Sequence, residues 1–353
     1  RRHDRSTARV STAAASVAPV RQGSAEPEVD AQASAPAPRG PRRGRTDWRK
    51  RAEILLLAGP AVGVFVFFVI VPVLMAAFYG FFRWNGFGAP TDFVGLQNYV
   101  TILGDSTFRD AVAHNLFIVV ASLALQGPLA VLFALLLNQR IRGRSIIRVL
   151  IFVPYVISEV VVGTGWSLML QDRGAVNDLL SSVGLDALRN SWIADPQIAL
   201  WTLMVIITWK YIGFAVILML AGLQSIPDEL YEAASIDGAS FWQMQRSITL
   251  PLLGPTIRIW AFLSIIGSLQ LFDLVNIIWG QYVSATAGTS TMATYMYLNG
   301  HMAGSYGYGN AVAVVLFIIS LAIALGYQRF VLRRDTEGAL TGMAGSSTKE
   351  PRP

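Results

Sequence analysis

Six apolar runs dominate the sequence, each long enough to cross ~30 Å of hydrocarbon at 1.5 Å per residue. They cover residues 54–82, 111–138, 146–170, 198–223, 256–279 and 310–332. Within lipid every backbone N–H and C=O has to be satisfied inside its own segment, so runs of this length must be helices. The expected fold is all-α with six membrane-spanning helices. Pro60, Pro72, Pro128 and Pro154 fall inside the runs. Membrane helices tolerate such prolines because neighbouring groups satisfy the freed carbonyls. Composition agrees: 14% of the residues are charged, against roughly 25% in soluble domains.

The net charge of +6 sits at one end. Residues 1–53 hold 12 Arg or Lys and 6 Asp or Glu, and the other 300 residues hold 16 of each sign. A basic arm of this kind either binds nucleic acid or fixes membrane orientation, and the six membrane runs favour orientation over nucleic acid. Residues 1–47 are rich in Ala, Ser, Pro and Arg, and are expected to be a disordered cytoplasmic tail. Residues 336–353 read as a second flexible cytoplasmic tail. The first apolar run begins too far in, and is too long, for a cleaved signal peptide. Positive residues cluster at Arg42, Arg43, Arg45, Arg49, Lys50 and Arg51, then at Arg140, Arg142, Arg144 and Arg148, and finally at Arg329, Arg333 and Arg334. By the positive-inside rule both termini and the loop 224–255 face the cytoplasm. The chain has no Cys, and His3, His114 and His301 are too scattered for a metal motif. No Gly-rich phosphate loop is present, so no cofactor or metal is expected.

The loop 224–255 is long and acidic at its start, with Asp228, Glu229, Glu232 and Asp237. Its residues encode two short helices. Pro227 suits a first helical position, and acidic residues follow where the helix dipole favours them. Gly238 is placed to end the first helix in a left-handed conformation. Ser240 and Gln243 form a capping box that starts the second. Pro251 is expected to stop that helix before the fifth membrane helix. Small residues at Ala233, Ala234 and Ala239 permit close approach by a partner.

The series Glu232-Ala233-Ala234, Gly238, Ile248, Leu250-Pro251 matches the spacing of the "EAA" signature at every position. The chain therefore resembles the permease subunits of binding-protein-dependent ABC importers. The likeness runs over residues 50–335 and is strongest to the first permease subunit of the maltose and sugar type. It implies a type I ABC importer permease fold, with a first helix and external loop at 48–110 and a core at 111–335. It further implies that Glu232, Asp237 and their neighbours dock on a separate ATPase. The implied partners are a second permease subunit, two ATP-binding subunits and an extracytoplasmic solute-binding protein, in a bacterial cytoplasmic membrane. The implied cargo is a sugar, with polyols and glycerol phosphate as the next choice, and the chain itself is not an enzyme. Two departures stand out: Gln245 replaces a frequent Phe, and Trp279-Gly280-Gln281-Tyr282-Val283 replaces the usual Thr-x-Gly-Gly-Pro.

Ionisable groups within membrane helices are costly and suggest function. Lys210 and Asp273 lie roughly 22–25 Å from the cytoplasmic ends, and Glu159 about 15–20 Å. Equal depth and opposite sign make Lys210 and Asp273 candidates for an ion pair along the pathway, unless each makes a structural hydrogen bond. Glu159 reads as a helix-packing group in preference to a proton relay of an ion-coupled transporter. Trp166, Trp209, Tyr211 and Tyr295 offer flat faces that suit a pyranose, although packing or an interfacial belt is the simpler reading of each.

Overall fold

The structure is a computed structural model that describes residues 48–139 and 142–332. The two expected tails lie outside those residues, as do Arg140, Arg333 and Arg334. The chain divides into two compact units, residues 1–59 and 60–353. In the first, the described part is the beginning of helix α1 (Trp48–Phe65), where Ile54, Leu55, Leu56 and Leu57 are exposed.

In the second unit the order is α2 (Val71–Tyr79), a two-stranded pair β1 (Phe82–Arg83) and β2 (Asp92–Phe93), α3 (Gln97–Gly104), α4 (Ser106–Ala121) and α5 (Gly127–Asn138). Then come α6 (Arg144–Val156), α7 (Glu159–Met169), α8 (Ala175–Ser182) and α9 (Ala199–Gln224). The rest is α10 (Asp228–Ile236), α11 (Phe241–Met244), α12 (Leu250–Leu269), α13 (Asp273–Thr286), α14 (Met292–Met296) and α15 (Tyr306–Tyr327). Among the described residues five helical runs are long and apolar enough to cross a membrane: Glu53–Tyr79, Ser106–Asn138, Ala199–Gln224, Phe241–Gly280 and Tyr306–Val331. The sixth expected crossing is α6 and α7, which meet at a bend of 96°.

Three of the prolines explain local departures from the α-helix. A π turn at Val66–Ile70 precedes Pro72, one at Ser122–Gln126 precedes Pro128, and one at Gln245–Thr249 precedes Pro251. A proline lacks the N–H that would bond the carbonyl four residues back, and its ring collides with that carbonyl. Those carbonyls belong to Phe68, Ala124 and Ser247, in the interior of each π turn. The wider turn gives the ring its room without ending the helix. This corrects the expectation for Pro251. It does not stop the second loop helix, which continues from Phe241 through the π turn into α12. Pro227 also shifts by one position: it is the extended N-cap of α10, not its first helical residue.

The centre of the unit is α9, packed against α5, α6 and α12. Leu203, Met204, Ile206, Val216 and Met219 are almost wholly buried around its circumference, the pattern of a helix with no polar face. Gly213 permits the close approach of α6. A Cβ there would lie 2.5 Å from the Ile151 carbonyl oxygen of α6. On the other flank α15 packs against α2, α3, α12 and α14, and α7 packs against α13.

Candidate functional site: the loop at 224–255 and a membrane cavity

Helix α10 ends as the spacing of its small residues dictates. Gly238 adopts φ +77°, the Gly238 N–H donates to the Ser235 carbonyl, and the Ala239 N–H donates to the Ala234 carbonyl. This is a Schellman motif, which needs a left-handed residue at the position Gly238 occupies. The next helix opens with the predicted capping box: Ser240 Oγ accepts from the Gln243 N–H, and Gln243 Oε1 accepts from the Ser240 N–H. Glu232, Ala233 and Asp237 are exposed, and Ala234, Ala239 and Ile248 are half-buried. Leu250 and Pro251 are exposed at the base. Two large apolar side chains flank the turn in the open, Ile236 at 86% and Trp242 at 77% exposure. The Tyr231 hydroxyl bonds the Thr249 hydroxyl at 3.0 Å and ties α10 to the π turn below α12.

The break between α6 and α7 is closed by Lys210. The last carbonyls of a helix have no partner within it. Here Lys210 Nζ donates to the carbonyls of Pro154 (3.1 Å), Tyr155 (2.9 Å) and Ile157. Glu159 opens α7, where the positive end of the helix dipole favours a carboxylate. The Lys210 ammonium stands 3.9 Å from Glu159 Oε1, and Glu159 also accepts from the Tyr211 hydroxyl at 2.7 Å. One ion pair thus serves both half-helices, its cation at the negative end of α6 and its anion at the positive end of α7. The expected pairing of Lys210 with Asp273 is corrected: the partner of Lys210 is Glu159. Asp273 is not within a continuous fifth helix either. The chain breaks after α12, and Asp273 is the exposed first residue of α13.

Next to this break lies a cavity of about 250 Å³ between α4, the π turn at Ser122–Gln126, α6, α9 and α12. Ser122, Gln126, Ser264 and Ser268 supply its polar groups. Tyr155, Tyr211, Phe214 and Trp260 supply aromatic surface. Gly127 makes room for the indole, because a Cβ there would come within 2.7 Å of the Trp260 ring. Ser122 Oγ donates to Gln126 Oε1 at 3.0 Å and bonds Ser264 Oγ at 2.8 Å.

A family model described as "Binding-protein-dependent transport system inner membrane component" matches residues 126–334. The chain belongs to that family. It is 32% identical over 282 residues to the trehalose/maltose transport system permease protein MalF of Thermococcus litoralis, covering 79% of this chain and 94% of that protein. It is 30% identical over 333 residues to the diacetylchitobiose uptake system permease protein NgcF of Streptomyces coelicolor, covering 90% and 92%. A crystal structure of a bacterial ABC transporter for the import of the acidic polysaccharide alginate contains a chain that superposes with a TM-score of 0.71. The two are 27% identical, and the match covers 81% of this chain and 98% of that one. The fold is that of an ABC importer permease, and the chain is a multi-pass transport component, not an enzyme.

Within this binding-protein-dependent permease, the seven proposed pathway residues separate. Tyr211 lines the cavity. Lys210 and Glu159 stand behind it, at the helix break. Trp166 packs edge-on against Trp209, with ring centroids 5.5 Å apart. Tyr295 is 3% exposed and belongs to a knot on the far side of α4, where its hydroxyl donates to Asp105 and bonds the Tyr308 hydroxyl at 2.8 Å. Asp105 caps α4 through the N–H groups of Thr107 and Phe108. Partial burial raises its pKa, yet the Tyr295 hydroxyl and these amides together hold the carboxyl below its ordinary value. Among the buried polar residues that escaped the sequence reading are Ser122, Gln126, Asn115 and Asn177. Asn115 donates to the Ser268 carbonyl at 2.7 Å and accepts from the Met292 N–H at 2.8 Å, joining α12 to α14. Asn177 holds the segment after α7, accepting from the Trp192 indole and donating to the Asn190 carbonyl, both at 2.9 Å. For Gln126, Asn115 and Asn177 the sequence signal is a lone amide among mostly apolar neighbours.

Proposed function

We propose that this permease provides the membrane path for a sugar, a mono- or oligosaccharide delivered by an external binding protein. A separate ATPase drives the step through the loop 224–255. The working assembly then contains a second permease subunit and two ATP-binding subunits, in a membrane whose cytoplasmic side holds both termini of this chain. The carrying observation is the helix that runs from the loop to the cavity. From Trp242 through the π turn to Ser264 and Ser268 the chain is helical, a lever of ~33 Å to the first and ~39 Å to the second at 1.5 Å per residue. Ile236 and Trp242 are the apolar anchors for the ATPase surface, with the acidic face of α10 and Glu232 beside them. Closure of the ATPases on ATP moves the loop, and the lever carries that movement to the wall bearing Trp260, Ser264 and Ser268. Hydrolysis resets it.

An ion-coupled carrier needs titratable groups free to exchange protons. The pair of buried Lys210 and half-buried Glu159 instead terminates two half-helices. Uptake into proteoliposomes carrying the full assembly tests the proposal. Internal ATP is expected to be required and a protonophore to have no effect. Trp242→Ala is expected to abolish uptake while the permease still folds and inserts. Uptake without ATP that collapses with the proton gradient would overturn the reading.

A further inference from the structure

We propose that Gln126 is the donor that recognises the cargo in the membrane cavity, and that the cargo it admits carries hydroxyl or ether oxygens and no net charge. The inference rests on the transport reading above and narrows it.

Gln126 is 4% exposed and ends the π turn that Pro128 imposes on the second span. The turn aims its side chain into the cavity. One end of the amide is fixed, because Ser122 Oγ holds Oε1 and is itself bonded to Ser264 Oγ. The other end, Nε2, is buried and has no protein partner. A buried amide nitrogen left without an acceptor is destabilising, so a folded protein retains one only where something else supplies the acceptor. Exchanging the amide oxygen and nitrogen leaves the argument intact. One head atom is still held by Ser122, the other still faces the cavity, and a hydroxyl can pair with either.

The rest of the lining narrows the ligand chemistry. It contains no Asp, Glu, Lys, Arg or His. The nearest cation, Lys210, is 2% exposed and already donates to three carbonyls. A carboxylate or phosphate moved into this cavity would lose its water with no counter-charge in return. A neutral polyhydroxylated ring loses nothing comparable. Its oxygens meet Gln126, Ser122, Ser264 and Ser268, and its C–H faces meet Trp260, Tyr155 and Phe214. This excludes uronate oligosaccharides and glycerol phosphate as cargo.

The test uses proteoliposomes with the complete assembly and its own binding protein. The neutral probes are trehalose, maltotriose and diacetylchitobiose, and the acidic probes are an alginate trisaccharide and glycerol 3-phosphate. At least one neutral probe is expected to enter in an ATP-dependent manner, and the acidic probes to stay at the level of empty liposomes. Gln126→Met, near-isosteric and apolar, is expected to cut the maximal uptake rate about tenfold. The half-saturating concentration, set by the binding protein, should not change. The substitution removes an unpaired donor and also the Oε1 acceptor of Ser122, whose hydroxyl can still donate to Ser264 Oγ, so the melting temperature of the purified permease is expected to hold. Gln126→Asn, with the same head on a shorter stem, should recover part of the rate. Entry of an acidic probe at a rate matching the neutral ones overturns the proposal, as does unchanged uptake by Gln126→Met. A melting temperature that falls together with uptake assigns Gln126 to structure and overturns it as well. If no probe enters even with ATP, the sugar reading itself fails and this inference falls with it.

Discussion

Asn115 shows how much one side chain holds. It is fully buried, and its amide satisfies a carbonyl at the end of α12 and an N–H at the start of α14. Asn115→Ala leaves both buried, each at about 1–3 kcal/mol. The purified permease is expected to melt at least ~5 °C lower, by differential scanning fluorimetry. Gly238→Ala is expected to behave in the opposite way. A left-handed alanine costs ~1–2 kcal/mol, so melting falls by only a few degrees while uptake falls several-fold. Asp105 gives a pH signature. Its folded pKa lies below the unfolded value of about 3.9, so its contribution is complete above that pH and is lost as pH falls through the depressed value. Asp105→Asn should therefore melt below the parent at neutral pH and converge with it in acid. None of these three residues announces its whole role in the sequence. Gly238 does so most nearly, because a helix C-terminus is a local event that a handful of neighbouring residues define. The partners of Asn115 and Asp105 lie 153 and 190 residues away, beyond any local pattern.

At the scale of elements, the six apolar runs were legible because length and hydropathy suffice to place a membrane helix. Their interruptions were not. The break between α6 and α7 depends on a lysine more than fifty residues later, which replaces the missing helical hydrogen bonds. The sequence displays Lys210, Glu159 and Asp273 as three charges in apolar surroundings, and depth alone pairs the wrong two. The geometry makes a definite prediction. Lys210→Met leaves three carbonyls and one carboxylate without their cation, so expression and uptake should both be lost. Glu159→Gln keeps the acceptor for Tyr211 and should retain most of the stability. Equal damage from the two would show that the ion pair matters more than the capping of α6. The π turns carry a second prediction. Pro251→Ala removes the collision at the Ser247 carbonyl and lets the turn relax to α, which rotates the loop helix about α12. ATP hydrolysed per sugar imported is expected to rise, measured in the same vesicles, with little change in melting temperature.

For the whole molecule, what matters is which way it faces. The resemblance seen in the loop agrees with the family match over residues 126–334 and with the solved permease fold, but sidedness rests on the distribution of charge. Arginines gather at the tail, at Arg142, Arg144 and Arg148, and near Arg329, whereas residues 280–309 contain none. On that distribution we propose that α10 and Trp242 face inside and α8 outside. The native chain has no cysteine, so a single introduced thiol reports without background. Ser235→Cys lies on exposed α10, and Ser182→Cys on the exposed end of α8. In intact spheroplasts a membrane-impermeant maleimide is expected to label Ser182→Cys fully and Ser235→Cys hardly at all. Permeabilisation should then expose Ser235→Cys. The reverse pattern would put the loop outside, out of reach of any ATPase, and the lever from Trp242 to the cavity would have nothing to drive it.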